Sequence, residues 1–120
     1  MAEIRTFETG ATRDTDAGKH DYEGYLSPSV LYRFGKYMTE HRQQSDGQLR
    51  DSDNWQKGIP KVQYLKSMLR HVFTLWRYSR GALHNDKLLE DTLCGILFNT
   101  QGYLHEHLKL ERKQDDAKAV

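Results

Sequence analysis

Apolar residues recur every three to four positions in three stretches of the chain, the spacing that places them on one face of an α-helix. The stretches predict helices over residues 28–42, 60–79 and 86–110. Ser27 and Pro28 are a typical helix start, because serine caps a helix and proline favours its first position. No strand pattern competes with these helices, so the predicted fold is all-α with three main helices.

The second predicted helix carries two adjacent apolar stripes. The first stripe consists of Val62, Leu65, Leu69, Val72 and Trp76. The second stripe consists of Tyr64, Met68, His71, Leu75 and Tyr78. Together they cover more than half of the helix circumference, so we expect the helix to be mostly buried, with Trp76 in the core. The narrow remaining side bears a cationic ridge, defined as Lys66, Arg70 and Arg77.

The third predicted helix also has two sides of interest. Its main apolar face consists of Leu89, Leu93, Ile96, Leu97, Thr100, Tyr103 and Leu104. Another side bears Asp91, Gly95, Phe98 and Gly102, whose two glycines permit another backbone to approach closely. Three helices with this much apolar surface do not close a bundle. We therefore expect a homo-oligomer, dimer or tetramer, that buries the second stripe and the glycine side.

The length of 120 residues fits one domain, flanked by less regular segments. Residues 1–26 show no sustained period and are interpreted as an N-terminal arm, followed by a helical domain over 27–110. Residues 111–120 are charged and apolar-poor, so we expect a flexible tail. The polar loop over 43–59 is long enough to be either functional or disordered, and its Trp55 favours order.

Charge and cysteine content narrow the partners and the compartment. A net charge of +1 makes bulk attraction to nucleic acid unfavourable, so a nucleic-acid partner is not expected. No stretch of eighteen apolar residues predicts a membrane span, and the first residues lack the apolar run of a signal peptide. Cys94 is the single cysteine and cannot form an internal disulfide. We interpret the chain as cytoplasmic, without a membrane partner.

Between Asp53 and Asp86 the chain has no acidic residue, which predicts an anionic partner. The cations in this stretch are Lys57, Lys61, Lys66, Arg70, Arg77 and Arg80. Arginine binds phosphate with two hydrogen bonds and lysine acts as a point charge, so the cationic ridge suits a triphosphate; the alternative is a solvated helix face. Trp55 could stack on a base while Asp53 and Asn54 read a purine edge, or it could be an apolar plug over the helices.

Carboxylates at the start of the third helix suggest a metal site. Asp86 and Glu90 are four residues apart and so project from one side, with Asp91 a quarter turn further on. Such oxygen ligands suit Mg²⁺ or Mn²⁺, whereas the alternative is that they complement the helix dipole. His71 borders an apolar stripe and is either a hydrogen-bonded core residue or a base.

Short motifs follow one another in a fixed order over residues 9–106. They are Thr9-Gly10-Ala11-Thr12-Arg13-Asp14, Gly35-Lys36-Tyr37, Asn54-Trp55 with Gly58, Arg70-His71 with Trp76, and Asn99 before Leu104. This series resembles the phage and bacterial dATP/dGTP diphosphohydrolase family, which is similar to the MazG-type all-α pyrophosphohydrolases. The resemblance implies oligomerisation through helices, an Mg²⁺ cofactor, and hydrolysis of a (deoxy)purine nucleoside triphosphate to the monophosphate and pyrophosphate. It also implies a cytoplasmic location, in the bacterial host if the gene is phage-borne.

The resemblance also implies roles for particular residues. The substrate would contact Lys36, Tyr37, Asp53, Asn54, Trp55, Lys57, Lys66, Arg70 and Asn99. The catalytic residues would be Glu90, Asp91 and His71, and the metal ligands Glu40, Asp86, Glu90 and Asp91. MazG-type enzymes use an ExxE set followed by an ExxD set, and here only the end of the second set is echoed, at Asp91. The alternative function is therefore a phage-type protein that binds and sequesters a nucleotide without turnover.

Overall fold

The structure, a computed structural model, describes residues 3–118. It falls into two compact units, one ending at Tyr32 and the other beginning at Arg33. The boundary lies within a helix, and each unit is described by itself. None of the helices in the described part of the chain combines the length and apolar character that crossing a membrane requires.

The first unit contains a small β-hairpin, which corrects the expectation of a chain without strands. Strands β1 (Ile4–Thr6) and β2 (Thr12–Asp14) pair antiparallel. Gly10, in the turn between them, has a φ of 87°, a conformation that glycine adopts without steric cost. A short helix, α1 (Tyr22–Tyr25), follows. Strands of three residues are too short to leave a visible alternation in the sequence, so periodicity missed them.

The second unit is helical, and the three predicted main helices are confirmed. Helix α2 spans Pro28–Glu40, beginning in the first unit, and α3 spans Lys61–Ser79. A single 3₁₀ turn, Asn54–Lys57, interrupts the connection between them. Helix α4 spans Asp86–Lys118 and so continues beyond residue 110, where the sequence predicted its end. The described residues are therefore mostly helical with one small sheet.

The helix ends follow the capping chemistry expected from the sequence. The Ser27 hydroxyl accepts a hydrogen bond of 3.3 Å from the backbone N–H of Val30, and the Asn85 side chain accepts one of 3.0 Å from that of Leu88. Helix α3 ends at Ser79, and Gly81, two residues further on, has a φ of 80°, which is incompatible with a right-handed helix. These caps fix where α2 and α4 begin and where α3 ends.

Helices α3 and α4 pack through the second stripe and the glycine side, which corrects the expectation that an oligomer buries them. Tyr64 is only 2% exposed and lies against Gly102, while His71 lies against Gly95. A Cβ atom at Gly95 would stand 2.7 Å from the His71 Nε2 atom, closer than any real contact. The buried Asn99 side chain donates a 2.7 Å hydrogen bond to the Gly95 carbonyl. The tight packing foreseen at the glycines is thus internal to the chain.

The first stripe points away from this contact, so its assignment to the core was wrong. Leu69 is 58% exposed and Trp76 is 57% exposed. On α4, much of the predicted main apolar face is similarly exposed, including Leu93 and Leu104. Periodicity showed that both sides of each helix are apolar, but it could not show which side meets the other helix.

Candidate functional site

A cleft of about 420 Å³ lies in the second unit, between the end of α2, the loop that follows it, and α4. Its volume is within the range typical of small-molecule sites. The cleft is lined by Tyr37, Met38, His41, Arg42, Arg50, Asp51, Ser52, Asn54, Trp55, Ile59 and Phe98. Aromatic and cationic side chains therefore meet in one concave surface.

Aromatic rings form one wall of the cleft. Trp55, on the 3₁₀ turn, meets Phe98 edge-on at a centroid distance of 6.2 Å and His105 at 4.8 Å. Phe98 and His105 are seven residues apart on α4 and thus share one face of that helix. At the end of α2, the ring centroids of Tyr37 and His41 lie 3.9 Å apart. Burial raises the pKa of the Tyr37 hydroxyl. Tyr37 therefore remains protonated at neutral pH and can donate a hydrogen bond.

A hairpin-like turn brings two arginines to the cleft. The backbone N–H of Arg50 donates to the Arg42 carbonyl at 2.7 Å, and Gly47 closes the turn with a φ of 83°. Arg42 Nε donates to the Arg50 carbonyl at 2.8 Å, and Arg50 Nη1 donates to the His41 carbonyl at 2.9 Å. These bonds use one nitrogen of each guanidinium and hold both side chains in place.

Neither cleft arginine forms an ion pair with a carboxylate of residues 3–118. The nearby Asp51 carboxylate pairs instead with Lys57, at 3.8 Å. A carbonyl carries only a partial charge, so no group of residues 3–118 neutralises the positive charges of Arg42 and Arg50. Each guanidinium also keeps further N–H donors for an anionic ligand.

A second charged group, here named the Arg33 cluster, consists of Arg33, Glu40, Lys87, Glu90 and Asp91. Arg33 Nε donates to Glu90 and Arg33 Nη2 to Asp91, both at 2.7 Å. Lys87 Nζ lies 2.8 Å from Asp91 and 3.6 Å from Glu40. The hydrogen bonds from Lys87 and Arg33 lower the pKa of Asp91. All three carboxylates are thus held by side-chain cations.

The Arg33 cluster does not fit a resident Mg²⁺. Glu40, Glu90 and Asp91 direct oxygen atoms at Arg33 and Lys87, and two cationic side chains oppose a third cation in the same place. The fourth expected ligand, Asp86, accepts a 3.1 Å hydrogen bond from the Tyr78 hydroxyl. In the described range 3–118, no three His, Cys, Asp or Glu residues are grouped as a metal site. The metal-binding and catalytic roles of these acids stay predictions.

The structure brings together only part of the expected substrate site. Tyr37, Asn54 and Trp55 line the cleft together. Five other expected residues are exposed and do not line it, namely Lys36, Asp53, Lys57, Lys66 and Arg70. Asn99 is buried and bonds to the Gly95 carbonyl of its own helix. His71 lies in the α3–α4 contact, where burial is the main cause that lowers its pKa. His71 is therefore neutral at pH 7 and packs as a core residue.

Comparison with protein-family models, with curated proteins and with solved structures gives no match for this chain. The resemblance to the diphosphohydrolase family therefore rests on its short motifs alone and stays a prediction. What the cleft can bind is consequently inferred from its own residues.

Sequence reasoning missed several residues of the cleft, above all Arg42, Arg50 and Phe98. The anion site was predicted from the acid-free stretch between Asp53 and Asp86, and the two arginines precede that stretch. They lie on either side of a polar segment that contains Gly47. An Asp-Gly pair between two short flanks is a hairpin signal, and it could have shown that the flanking arginines meet. Phe98 carried no comparable signal, because it is one of many apolar residues on its helix.

Proposed function

We propose that the cleft binds a purine nucleotide and holds it without hydrolysis. The observation that carries this proposal is the pairing of an aromatic wall with two arginines whose charge no carboxylate of residues 3–118 neutralises. A planar base and an anionic phosphate chain are the two parts of one ligand that need these two surfaces.

The base is assigned to the Trp55 side of the cleft. Stacking on an aromatic side chain contributes about 1–3 kcal/mol per base, and a purine offers the larger ring system for it. Asn54 lines the same cleft and has both a donor and an acceptor, which suit the edge of a purine. The Tyr37 hydroxyl can donate a further hydrogen bond to the sugar or the base.

The phosphates are assigned to Arg42 and Arg50. The turn that carries them is fixed by backbone hydrogen bonds of 2.7 Å and 2.8 Å, so little order has to be gained when the ligand binds. Planar guanidinium groups bind phosphate oxygens through paired hydrogen bonds, each worth about 1.5–3 kcal/mol when charge-assisted. The cationic ridge on α3 does not line this cleft and has no part in the proposal.

Hydrolysis with Mg²⁺, the first expectation from the sequence, requires carboxylates that can bind a metal. In the Arg33 cluster the three carboxylates are instead paired with Arg33 and Lys87, which supports binding without turnover. Hydrolysis stays a prediction, and the experiment that tests binding tests it as well.

Isothermal titration calorimetry with the deoxy- and ribonucleoside triphosphates tests the proposal, first in EDTA and then with Mg²⁺. We expect purine triphosphates to bind in both buffers, the corresponding nucleosides to bind more weakly, and no pyrophosphate to be released. A lack of binding by every nucleotide would refute the proposal. Release of pyrophosphate with Mg²⁺ would replace it with the hydrolase.

A further inference from the structure

The Arg33 cluster joins α2 to α4 at two places. Near the middle of α2, the Arg33 guanidinium donates to Glu90 and to Asp91 of α4, both at 2.7 Å. Two turns further along α2, the Glu40 carboxylate lies 3.6 Å from the Nζ atom of Lys87 of α4. Because the two links are seven residues apart on α2, they restrain both the distance of this helix from α4 and its direction.

The link through Arg33 is stronger than an ordinary surface ion pair. An exposed pair of single side chains contributes little to stability, whereas an arginine with well-placed carboxylates in a network of charges contributes more. The Arg33 side chain is only 21% exposed, and that of Asp91 is 26% exposed. The two donors, Nε and Nη2, belong to one planar group, so Arg33 holds Glu90 and Asp91 in a fixed arrangement.

Apolar packing alone holds α2 weakly. Within α2, every residue of which is described, Tyr37 is the one buried residue, at 6% exposed. Phe34 and Met38 are only partly buried. Apolar burial is the main source of stability in packed helices, and this helix has little of it. The position of α2 therefore depends on the charged links as well as on Tyr37.

The two helices carry their linking residues and their cleft residues on the same sides. On α2, Tyr37 follows Arg33 by four residues, and on α4, Phe98 follows Asp91 by seven residues. Residues at these spacings share one side of a helix. Tyr37 and Phe98 both line the cleft. A change in the distance between the helices at the Arg33 cluster is therefore transmitted to the cleft.

Each binding surface of the cleft is fixed to one of the two linked helices. The Trp55 ring lies against Phe98 and His105 of α4. The turn that carries the arginines is fixed just beyond the end of α2, where Arg50 Nη1 donates to the His41 carbonyl. The distance between the surface for the base and the surface for the phosphates thus depends on how α2 lies against α4.

We propose that Arg33 is a positioning residue, which sets the width of the cleft by holding α2 to Glu90 and Asp91 of α4. Arg33 does not itself line the cleft. Its effect on affinity rests on the proposed nucleotide binding, whereas the link between the helices does not. When the link is broken, the two surfaces separate and one ligand no longer contacts both of them well.

Amide hydrogen exchange of the full chain tests the link without any ligand. Arg33→Gln and Asp91→Asn should each speed the exchange of amides 34–41 and leave those of α3 unchanged, because α2 is then held less firmly. Arg112→Gln is the matched control, since Arg112 is exposed on α4 outside both the cleft and the Arg33 cluster, and its exchange should equal that of the wild type. Unchanged exchange of α2 in both cluster variants would overturn the proposal.

Calorimetry with dATP tests the effect on the cleft. Arg33→Gln and Asp91→Asn should each weaken binding by roughly tenfold, and the double variant should be no weaker than either, because both act through one link. A direct effect of charge predicts the opposite pattern: loss of the cation would weaken the binding of an anion, and loss of the carboxylate would strengthen it. Shifts in opposite directions, or an unchanged affinity in both variants, would overturn the positioning role.

The two measurements separate this proposal from the proposed function. If the exchange of α2 rises in both variants but the wild type binds no nucleotide, the link is supported and only the proposed function is refuted. If circular dichroism shows that Arg33→Gln does not fold, Glu90→Gln replaces it, because it weakens only one of the two hydrogen bonds. It should shift exchange and affinity in the same directions by smaller factors, and wild-type values of both would overturn the proposal.

Discussion

The cleft and the first stripe of α3 each contain one of the two tryptophans of this chain, in opposite settings. Trp55 is partly buried, and its ring is fixed edge-on against His105 and Phe98, beside polar groups. Trp76 is 57% exposed, and its neighbours are the Phe73 ring at 6.4 Å and the Arg80 guanidinium at 6.0 Å.

The difference concerns what each surface is prepared to bind. The cleft offers a fixed ring, hydrogen-bonding groups and unneutralised cations, which together specify a small polar ligand. The first stripe of α3 offers exposed apolar side chains at regular spacing and no polar groups, so it lacks the means to bind a small polar ligand. Two tryptophans of similar appearance in the sequence therefore lie in different surroundings, and changes at each should have separate consequences.

The largest expected effect comes from Trp55→Ala. Removing a central aromatic side chain from a binding site costs at least about 2 kcal/mol, roughly 30-fold in affinity. Calorimetry with dATP should show this loss while sedimentation shows an unchanged mass. Trp76→Ala is the counterpart, and it should leave the affinity for dATP unaltered, because Trp76 does not line the cleft. An equal loss of dATP affinity in both variants would contradict the assignment of the base to Trp55.

Next in size is the loss of a cleft arginine. Arg50→Gln should weaken dATP binding by about 1.5–3 kcal/mol, because it removes charge-assisted hydrogen bonds to phosphate. The turn should persist, since the backbone N–H of residue 50 still donates to the Arg42 carbonyl. Arg70→Gln serves as the control, because Arg70 is exposed on α3 outside the cleft. If the control loses affinity and Arg50→Gln does not, the phosphates bind at the cationic ridge.

The contact of α3 with α4 can be tested separately from the first stripe by changing glycines. Gly102→Ala should destabilise the chain by up to about 2 kcal/mol net, because overpacking against the Tyr64 ring costs about 1–3 kcal/mol and the gain in helix propensity is only about 1 kcal/mol. Gly35→Ala is the matched control, since a Cβ there meets nothing within 4 Å, and it should stabilise by up to about 1 kcal/mol. Urea denaturation measures both. Equal effects would contradict close packing at Gly102.

The smallest predicted effect concerns the Arg33 cluster and pH. Lys87 and Arg33 lower the pKa of Asp91, so its contribution to stability is present above the ordinary carboxyl pKa of about 3.9. It is lost as the pH falls through the lowered pKa of the folded state. The loss should be no more than about 1 kcal/mol, because the pair is partly solvated. The urea midpoint of the wild type should fall below pH 4, and that of Asp91→Asn should fall less steeply. An equally steep fall in the variant would show that other acids cause the loss of stability.

Much of the helical architecture could be predicted from local signals. Apolar spacing located the three main helices, and Ser27 and Asn85 marked two of their starts because their side chains cap helices. The end of α4 could not be found in this way, since charged residues such as Glu111 are compatible with both a solvated helix and a coil.

The choice of packing face was harder, although one signal was present. Tyr64 and His71 are seven residues apart, and so are Gly95 and Gly102, so that two rings can meet two glycines across antiparallel helices. The first stripe consists of apolar residues alone, whereas the second includes His71, so periodicity favoured the wrong face. The cleft was only partly predictable, because Trp55 and Asn54 are close in sequence, whereas Arg42 and Arg50 meet through a turn.

The indole N–H resonances of Trp55 and Trp76 give the most direct test of nucleotide binding in the cleft. A ¹H–¹⁵N spectrum of the full chain contains both indole resonances, so that of Trp76 is an internal control for that of Trp55. The spectrum of Trp76→Phe assigns them. Titration with dATP in EDTA should shift or broaden the Trp55 resonance in a saturable manner and leave that of Trp76 in place. A response confined to Trp76, or none at either indole up to millimolar dATP, would contradict the account.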